Sequence, residues 1–359
     1  VPIQVFDIFD QSLLTDLIIK PQQGRSELAV EDAPFLGEVI APLKSHAART
    51  AKIRVQETKP FGKGQFRAPD ATPALFKPAL QWSDQIIELV LLDEMERISE
   101  EDWIKLNSAD ENIRRSAGLD LVARGQLLEL RNRRLTEWMR WQSFQGSLLV
   151  TYPSGDKLQI DYGLPAGHVV TAGTLWSDTT NSDPIADLQS WSGTIANDSG
   201  FYGKNAHMTS KTWWYLIQNV KIKNLLNFYA NGANTIQRPR EQDILDQLST
   251  YTGDFNIIRY NNGYRDIGSS GYGPPSLTRY LPDGYVLLTT DYDLDGHNIA
   301  DTLDGQVTVS TGYNSVDIRQ GFQAEVLLDH MSKTHFFRAA AARIPRLLIP
   351  EAFLWAKVA

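Results

Sequence analysis

The chain has 359 residues, 42% of them hydrophobic and 10% aromatic, which is enough for two or three packed domains and too apolar for a disordered polymer. It contains no cysteine, which excludes disulfides and thiolate metal sites, and no apolar run long enough to cross a bilayer as a helix. A formal net charge of −8 argues against general nucleic-acid affinity, because phosphate binding needs a surplus of basic surface.

The opening stretch "VPIQVFDIFD" is acidic where a secretory signal is basic and then apolar. Residues 1–45 mix short apolar clusters with Pro21, Gly24, Pro34, Gly37 and Pro42, and read as an arm of brief helical turns. Residues 46–98 read as one extended two-stranded hairpin. "RTAKIRVQE" alternates, "PFGKGQFRAPDATPALFKP" is rich in turn residues, and "WSDQIIELVLLDEMERI" returns as a single strand-like run. A lone hairpin is marginally stable in water, so this one is expected to lie against another surface.

The strongest periodic signal spans Ser108 to Gln145 and predicts one long helix. Ser108 and Glu111 have the spacing of a capping box. Ile113, Ala117, Leu121, Leu128, Leu135, Met139 and Gln142 trace one stripe, and Leu127, Leu130, Trp138 and Trp141 a second, so two flanks should be buried. Gly118 and Gly125 each cost roughly 1 kcal/mol against alanine, which predicts a kink or a close contact there.

The period then changes to two. "LLVTYPSGDKLQIDYGLP" predicts a hairpin turning at Ser154-Gly155. Asp183-Pro184 is a helix start and Gly200 a helix stop. A strand at "NAHMT", helices at "KTWWYLIQNVKIKNLL" and "EQDILDQLSTYTG", and strands at "NIIRY" and "YVLLTT" complete an α+β unit. The C-terminal "HFFRAAAARIPRLLIPEAFLWAKVA" reads as strands broken by Pro345 and Pro350.

Sites for chemistry are few. Asp291, Asp293, Asp295 and Gly296 reproduce the front half of a calcium loop, with Asp301 nearby, but Ile299 and Thr302 occupy its ninth and twelfth positions. The β-branched flanks favour an acidic hairpin loop instead. The histidines His46, His168, His207, His297, His330 and His335 are scattered without zinc spacing, and read as structural or surface residues. No catalytic, cofactor or metal residue is assigned. Arg131, Arg133, Arg134 and Arg140 interleave with Trp138 and Trp141, a composition also seen in nucleic-acid binders. Glu129 and Glu137 among them favour salt bridges to neighbouring segments or subunits.

In this order, "LRNRRLTEWMRWQSFQG" leading to "LQIDYG", then "LWSDTTNSDPIADLQSW", "YLPDGYVLL" and a proline-interrupted C-terminus resemble the lambda-type major head protein family of tailed bacteriophages. The resemblance implies an α+β, HK97-like capsid fold. It assigns 1–45 to an N-terminal arm, 46–98 to an E-loop, 99–172 with 321–359 to a peripheral domain containing the spine helix, and 173–320 to an axial domain. It implies a structural protein, not an enzyme, that assembles with copies of itself as hexamers and pentamers into an icosahedral virion shell. That shell would enclose double-stranded DNA without sequence-specific binding, in the host bacterial cytoplasm, with scaffolding, portal and cement or decoration partners and no membrane.

The subunit contacts expected on this basis involve Lys59, Phe61, Phe66, Phe76, Trp82, Arg131, Arg133 and Arg134. Some relatives weld the shell by a lysine–asparagine isopeptide bond. Lys59, Lys63 and Lys77 are available donors, but "IPEAFLWAKVA" has no asparagine, so a non-covalent shell is expected. The competing readings are a calcium-dependent extracellular binding protein, a carboxylate-pair hydrolase, and another virion protein such as a tail-tube or decoration subunit.

Overall fold

The computed structural model describes residues 15, 18, 35–56, 82–152, 154–224, 255–265, 277–294, 296–312, 315–329 and 334–359. Helix α1 (Leu36–Ile40) leads into β1 (Leu43–Ser45), β2 (Thr50–Gln56), β3 (Trp82–Glu88), β4 (Val90–Ile98), α2 (Glu100–Leu106) and the long α3 (Glu111–Phe144). After the hairpin β5 (Ser147–Thr151) and β6 (Lys157–Asp161) come β7 (Val169–Thr171), α4 (Pro184–Ser199), β8 (Asn205–Met208) and α5 (Ser210–Gln218). Short strands follow: β9 (Asn256–Arg259), β10 (Gly263–Arg265), β11 (Leu277–Arg279), β12 (Tyr285–Thr289), β13 (Asp293–Leu294) and β14 (His297–Asn298). The chain closes with β15 (Ala300–Asp304), β16 (Gln306–Gly312), β17 (Ser315–Gln320), β18 (Gln323–Asp329), β19 (Thr334–Leu347) and β20 (Phe353–Lys357).

Two mixed sheets organise these elements. In the first, the 14-residue β19 is the axis. One edge pairs with β4 over residues 335–343, and the opposite edge pairs first with β18 and then with β15, which carries β1 in parallel. The second sheet runs β7-β20-β12-β8-β9. The segments assigned to the two domains from sequence exchange strands here: β15, from 173–320, joins the first sheet, and β20, from 321–359, joins the second.

Helix α3 has 34 residues and so spans about 50 Å. It lies on one face of β19, where Ala339 and Ala341 leave room for it. A Cβ on Gly125 would fall 2.8 Å from Phe337 and 2.6 Å from Ile18, so the close contact, not a kink, explains this glycine. The N-cap differs from expectation. Asp110 accepts from the Asn112 amide, and Ser108 accepts from Asp110, because the helix begins at Glu111 and leaves Ser108 two residues before the cap. Only part of the expected apolar surface is covered: Leu121, Leu128, Met139 and Trp141 are buried, while Ile113, Leu127 and Leu135 are exposed among the described residues.

The run expected as one strand from Trp82 divides at Leu89 into β3 and β4, and the two halves pair with different partners, β2 and β19. The helix expected from Lys211 is interrupted where Asn219, in extended conformation, caps α5. The 241–253 helix lies outside the described residues. Asp183 caps α4 through the Ala186 amide, and Gly200, at φ +85°, ends it as expected. Pro345, by contrast, does not break β19. Pairing with β4 ends at Arg343, so among the described residues Pro345 has a strand only on its β15 side, and its missing N–H leaves no pairing bond unmade there. The Tyr162 hydroxyl donates to the Pro345 carbonyl at 2.9 Å.

One core lies between α3, the first sheet and the inner face of the second, with Trp141, Phe144, Tyr162, Phe337 and Phe353 fully buried. The other lies under α4 and α5, where Trp176 stacks on Trp191 above Ala206, Val286 and Leu354.

Candidate assembly surfaces

The β2–β3 ribbon pairs from Thr50 opposite Glu88 to Gln56 opposite Trp82. At its base Ala51 and Ile87 are buried, whereas Ile86 is 70% exposed. A bond from Leu89 N to Arg49 O closes the neck, and Arg49 Nη2 reaches Thr308 Oγ1 at 3.4 Å. Trp82 opens β3. Lys59, Phe61, Phe66 and Phe76 lie outside the described residues.

Arg131 and Arg133 of the spine pair with carboxylates of other segments. Arg131 Nη2 is 2.9 Å from Glu94 on β4. Arg133 Nη2 donates to Glu38 on α1 at 3.0 Å, and its guanidinium stands over the Phe35 ring. Burial opposes the Arg133 charge, but the hydrogen bond and charge of Glu38 outweigh it and raise the Arg133 pKa. Arg134 is half-buried beside them. The Arg131 pair, with Arg131 58% exposed, is worth at most about 1 kcal/mol.

Sequence reasoning missed the centre of this region. Glu137 is fully buried, and one of its oxygens accepts from Gly37 N at 2.8 Å, Trp141 Nε1 at 2.7 Å and the Tyr260 hydroxyl at 2.7 Å. Its other oxygen lies 3.5 Å from Arg140 Nη1, and Arg140 Nε donates to Thr302 Oγ1 at 2.8 Å. One carboxylate thus joins the spine, α1 and the segment after β9. Burial lowers the Arg140 pKa, partly offset by Glu137; burial and the Glu137 charge raise that of Tyr260. The available signal was Glu137 at i,i+3 to Arg140 and i,i+4 to Trp141, with Arg133 and Arg134 one turn before it.

A second network holds the β16–β17 hairpin on the first sheet. Arg338 on β19 grips both oxygens of Asp93 on β4, donates to Glu325 on β18 and to the Thr308 carbonyl on β16. Glu325 also accepts from Ser310 N. The bonds to Asp93 raise the Arg338 pKa despite burial, so this cation stays charged.

The acidic stretch after β12 forms strands. β13 and β14 pair as a tight hairpin with Gly296 at φ +84°. Asp291 pairs with Lys204 at 3.0 Å, and the buried Asp301 is gripped by Arg346 at 2.9 and 2.6 Å. Asp295 lies outside the described residues. Among the described residues no group of three or more metal-ligating side chains is brought together.

The histidines, too, are spread across the fold. His168 bridges the Phe353 carbonyl and Asp198, and His335 stacks on Trp103. Burial pushes His207 down to about 3. His330 lies outside the described residues.

A family model described as phage major capsid protein E matches residues 83–308. No curated protein matches the chain in sequence. Among solved structures, a phage-related protein from Bordetella bronchiseptica RB50 shares 15% identity and a TM-score of 0.55, over 98% of this chain and 97% of that one. A protein described as the capsid protein of a prophage of E. coli CFT073 shares 14% identity and a TM-score of 0.57, over 97% and 99% of the two chains.

Proposed function

Because this chain belongs to the phage major capsid protein E family, with the HK97-like fold and a structural role in the virion, we propose that its copies close into an icosahedral shell. Hexamers and pentamers of the subunit make up this shell, which encloses double-stranded DNA and is held without covalent cross-links. The first sheet with the spine forms the peripheral domain, the second sheet the axial domain, and the β2–β3 ribbon the root of the E-loop. Assembly takes place in the host cytoplasm. Scaffolding, portal and cement or decoration proteins are its further partners.

The observation that supports this reading best is the ribbon. It leaves the sheet at Leu89 as a two-stranded element with Ile86 bare on its surface, and such an element is marginal without a covering neighbour. Arg131 and Arg133 fix the spine against β4 and α1 and so set the platform on which a neighbour's loop rests. A net-negative subunit also suits this role, because a lining that bound packaged DNA tightly would hinder its entry and exit. Sedimentation velocity on the purified protein tests the proposal. Shell-sized particles are expected, and a single 40.4 kDa species at high concentration would overturn it.

A further inference from the structure

Strand β17 is built with its apolar side outward. Cross-strand partners share a face, and the register sets Asp317 opposite Val309 and Arg319 opposite Val307, both valines being buried. Val316 and Ile318 fall on the other face, opposite Ser310 and Thr308, and are 69% and 59% exposed. A strand with alternating polarity normally takes the register that buries its apolar set. Here the valines of β16 fix the hairpin on the sheet, and the apolar residues of β17 are left for something else.

Its edge also awaits a partner. Among the described residues β17 pairs with β16 alone. The Ile318 amide is held by its neighbour's side chain, donating to Asp317 Oδ1 at 2.8 Å. Edge strands avoid pairing by carrying proline or charges that an incoming strand leaves unmatched. β17 has neither, only an aspartate and an arginine two residues apart, joined to each other at 3.5 Å. Set antiparallel to itself about Ile318, this strand places Asp317 across from Arg319 of the copy, twice over, with the isoleucines facing each other. A two-fold contact requires such self-complementarity.

We propose that β17 is an isologous contact strand. Two copies pair edge to edge, antiparallel and centred on Ile318, where two-fold axes relate neighbouring capsomers. The Ile318 amides exchange Asp317 for the backbone of the copy, and the Asp317 carboxylates turn to Arg319. This rests on the shell reading given above. Six residues a side bury far less than the roughly 1,200 Å² of a stable complex, so the contact forms within the particle and not between free subunits.

The test uses the absence of cysteine from the chain. Ile318→Cys introduces a single thiol on an exposed strand, and facing residues of an antiparallel pair lie within disulfide reach. After mild oxidation of assembled particles, most subunits should migrate on a non-reducing denaturing gel at twice 40.4 kDa. Tyr202→Cys, an exposed position outside the ribbon and β17, should stay monomeric. A second arm uses charge. Asp317→Arg and Arg319→Asp subunits should each assemble at least tenfold less efficiently alone, and recover when mixed one to one. Intact particles with no Ile318→Cys dimer, or no recovery on mixing, overturn the contact while leaving the shell in place. Failure of the unaltered chain to form particles would instead overturn the shell reading.

Discussion

At the scale of single residues, Glu137 is the most exposed to test. It supplies the acceptor for three donors from separate segments and the counter-charge of a buried arginine. Removing one partner of a buried pair strands the other. Glu137→Ala should therefore cost about 3–5 kcal/mol in urea unfolding of the unassembled subunit, with Glu137→Gln costing less because the amide oxygen can still accept. Gly37 belongs to the same site. A Cβ there would lie 2.5 Å from Glu137 Oε2, on a carboxylate held by several bonds, so Gly37→Ala should lose about 1–3 kcal/mol. His207 sets a pH dependence. It is neutral in its buried place, with its pKa near 3 against an ordinary 6.5, so the unfolded chain takes the proton first as pH falls. Its contribution is intact above pH 6.5 and is lost progressively between 6.5 and about 3, by about 1.4 kcal/mol per unit at most. His207→Gln should flatten the subunit's stability profile over that interval; an unchanged slope would place the acid sensitivity elsewhere.

At the scale of elements, α3 was legible because a 3.6-residue repeat sustained over 34 residues has no rival reading, and the β5–β6 hairpin because Ser154-Gly155 interrupts a clean alternation. What escaped depends on partners distant in sequence. The path of β19 through Pro345 follows from where β4 happens to end, and the burial of Glu137 follows from Tyr260, 123 residues away. Gly125 sits between these cases. Its cost to the helix was visible, while Phe337 as the reason was not. Gly125→Ala gains about 1 kcal/mol of helix propensity and loses about 1–3 to overpacking, so net destabilisation of up to about 2 kcal/mol is expected by thermal or urea unfolding. The spine arginines make a separable prediction. Replacing Arg131, Arg133 and Arg134 together by alanine should reduce particle yield while far-ultraviolet circular dichroism of the subunit stays unchanged, since the pairs to Glu94 and Glu38 orient segments without forming them. Undiminished yield would remove these residues from assembly.

At the scale of the whole molecule, two sheets and a spine helix form the body, and exposed apolar side chains occur both on it, at Met95 on β4 and at Leu127 and Leu135 on the spine, and on the hairpins that leave it, at Ile86 on the ribbon and at Val316 and Ile318 on β17. A monomer leaves these surfaces wet; the proposed shell offers copies to cover them. On the expectation of a non-covalent shell, since the stretch "IPEAFLWAKVA" holds no asparagine, denaturing gels of mature particles should show one band and no ladder. The most direct measurement is negative-stain electron microscopy of the purified, unaltered chain. Closed shells of uniform diameter are predicted, and a field of compact single subunits under conditions where the protein is folded would contradict the account.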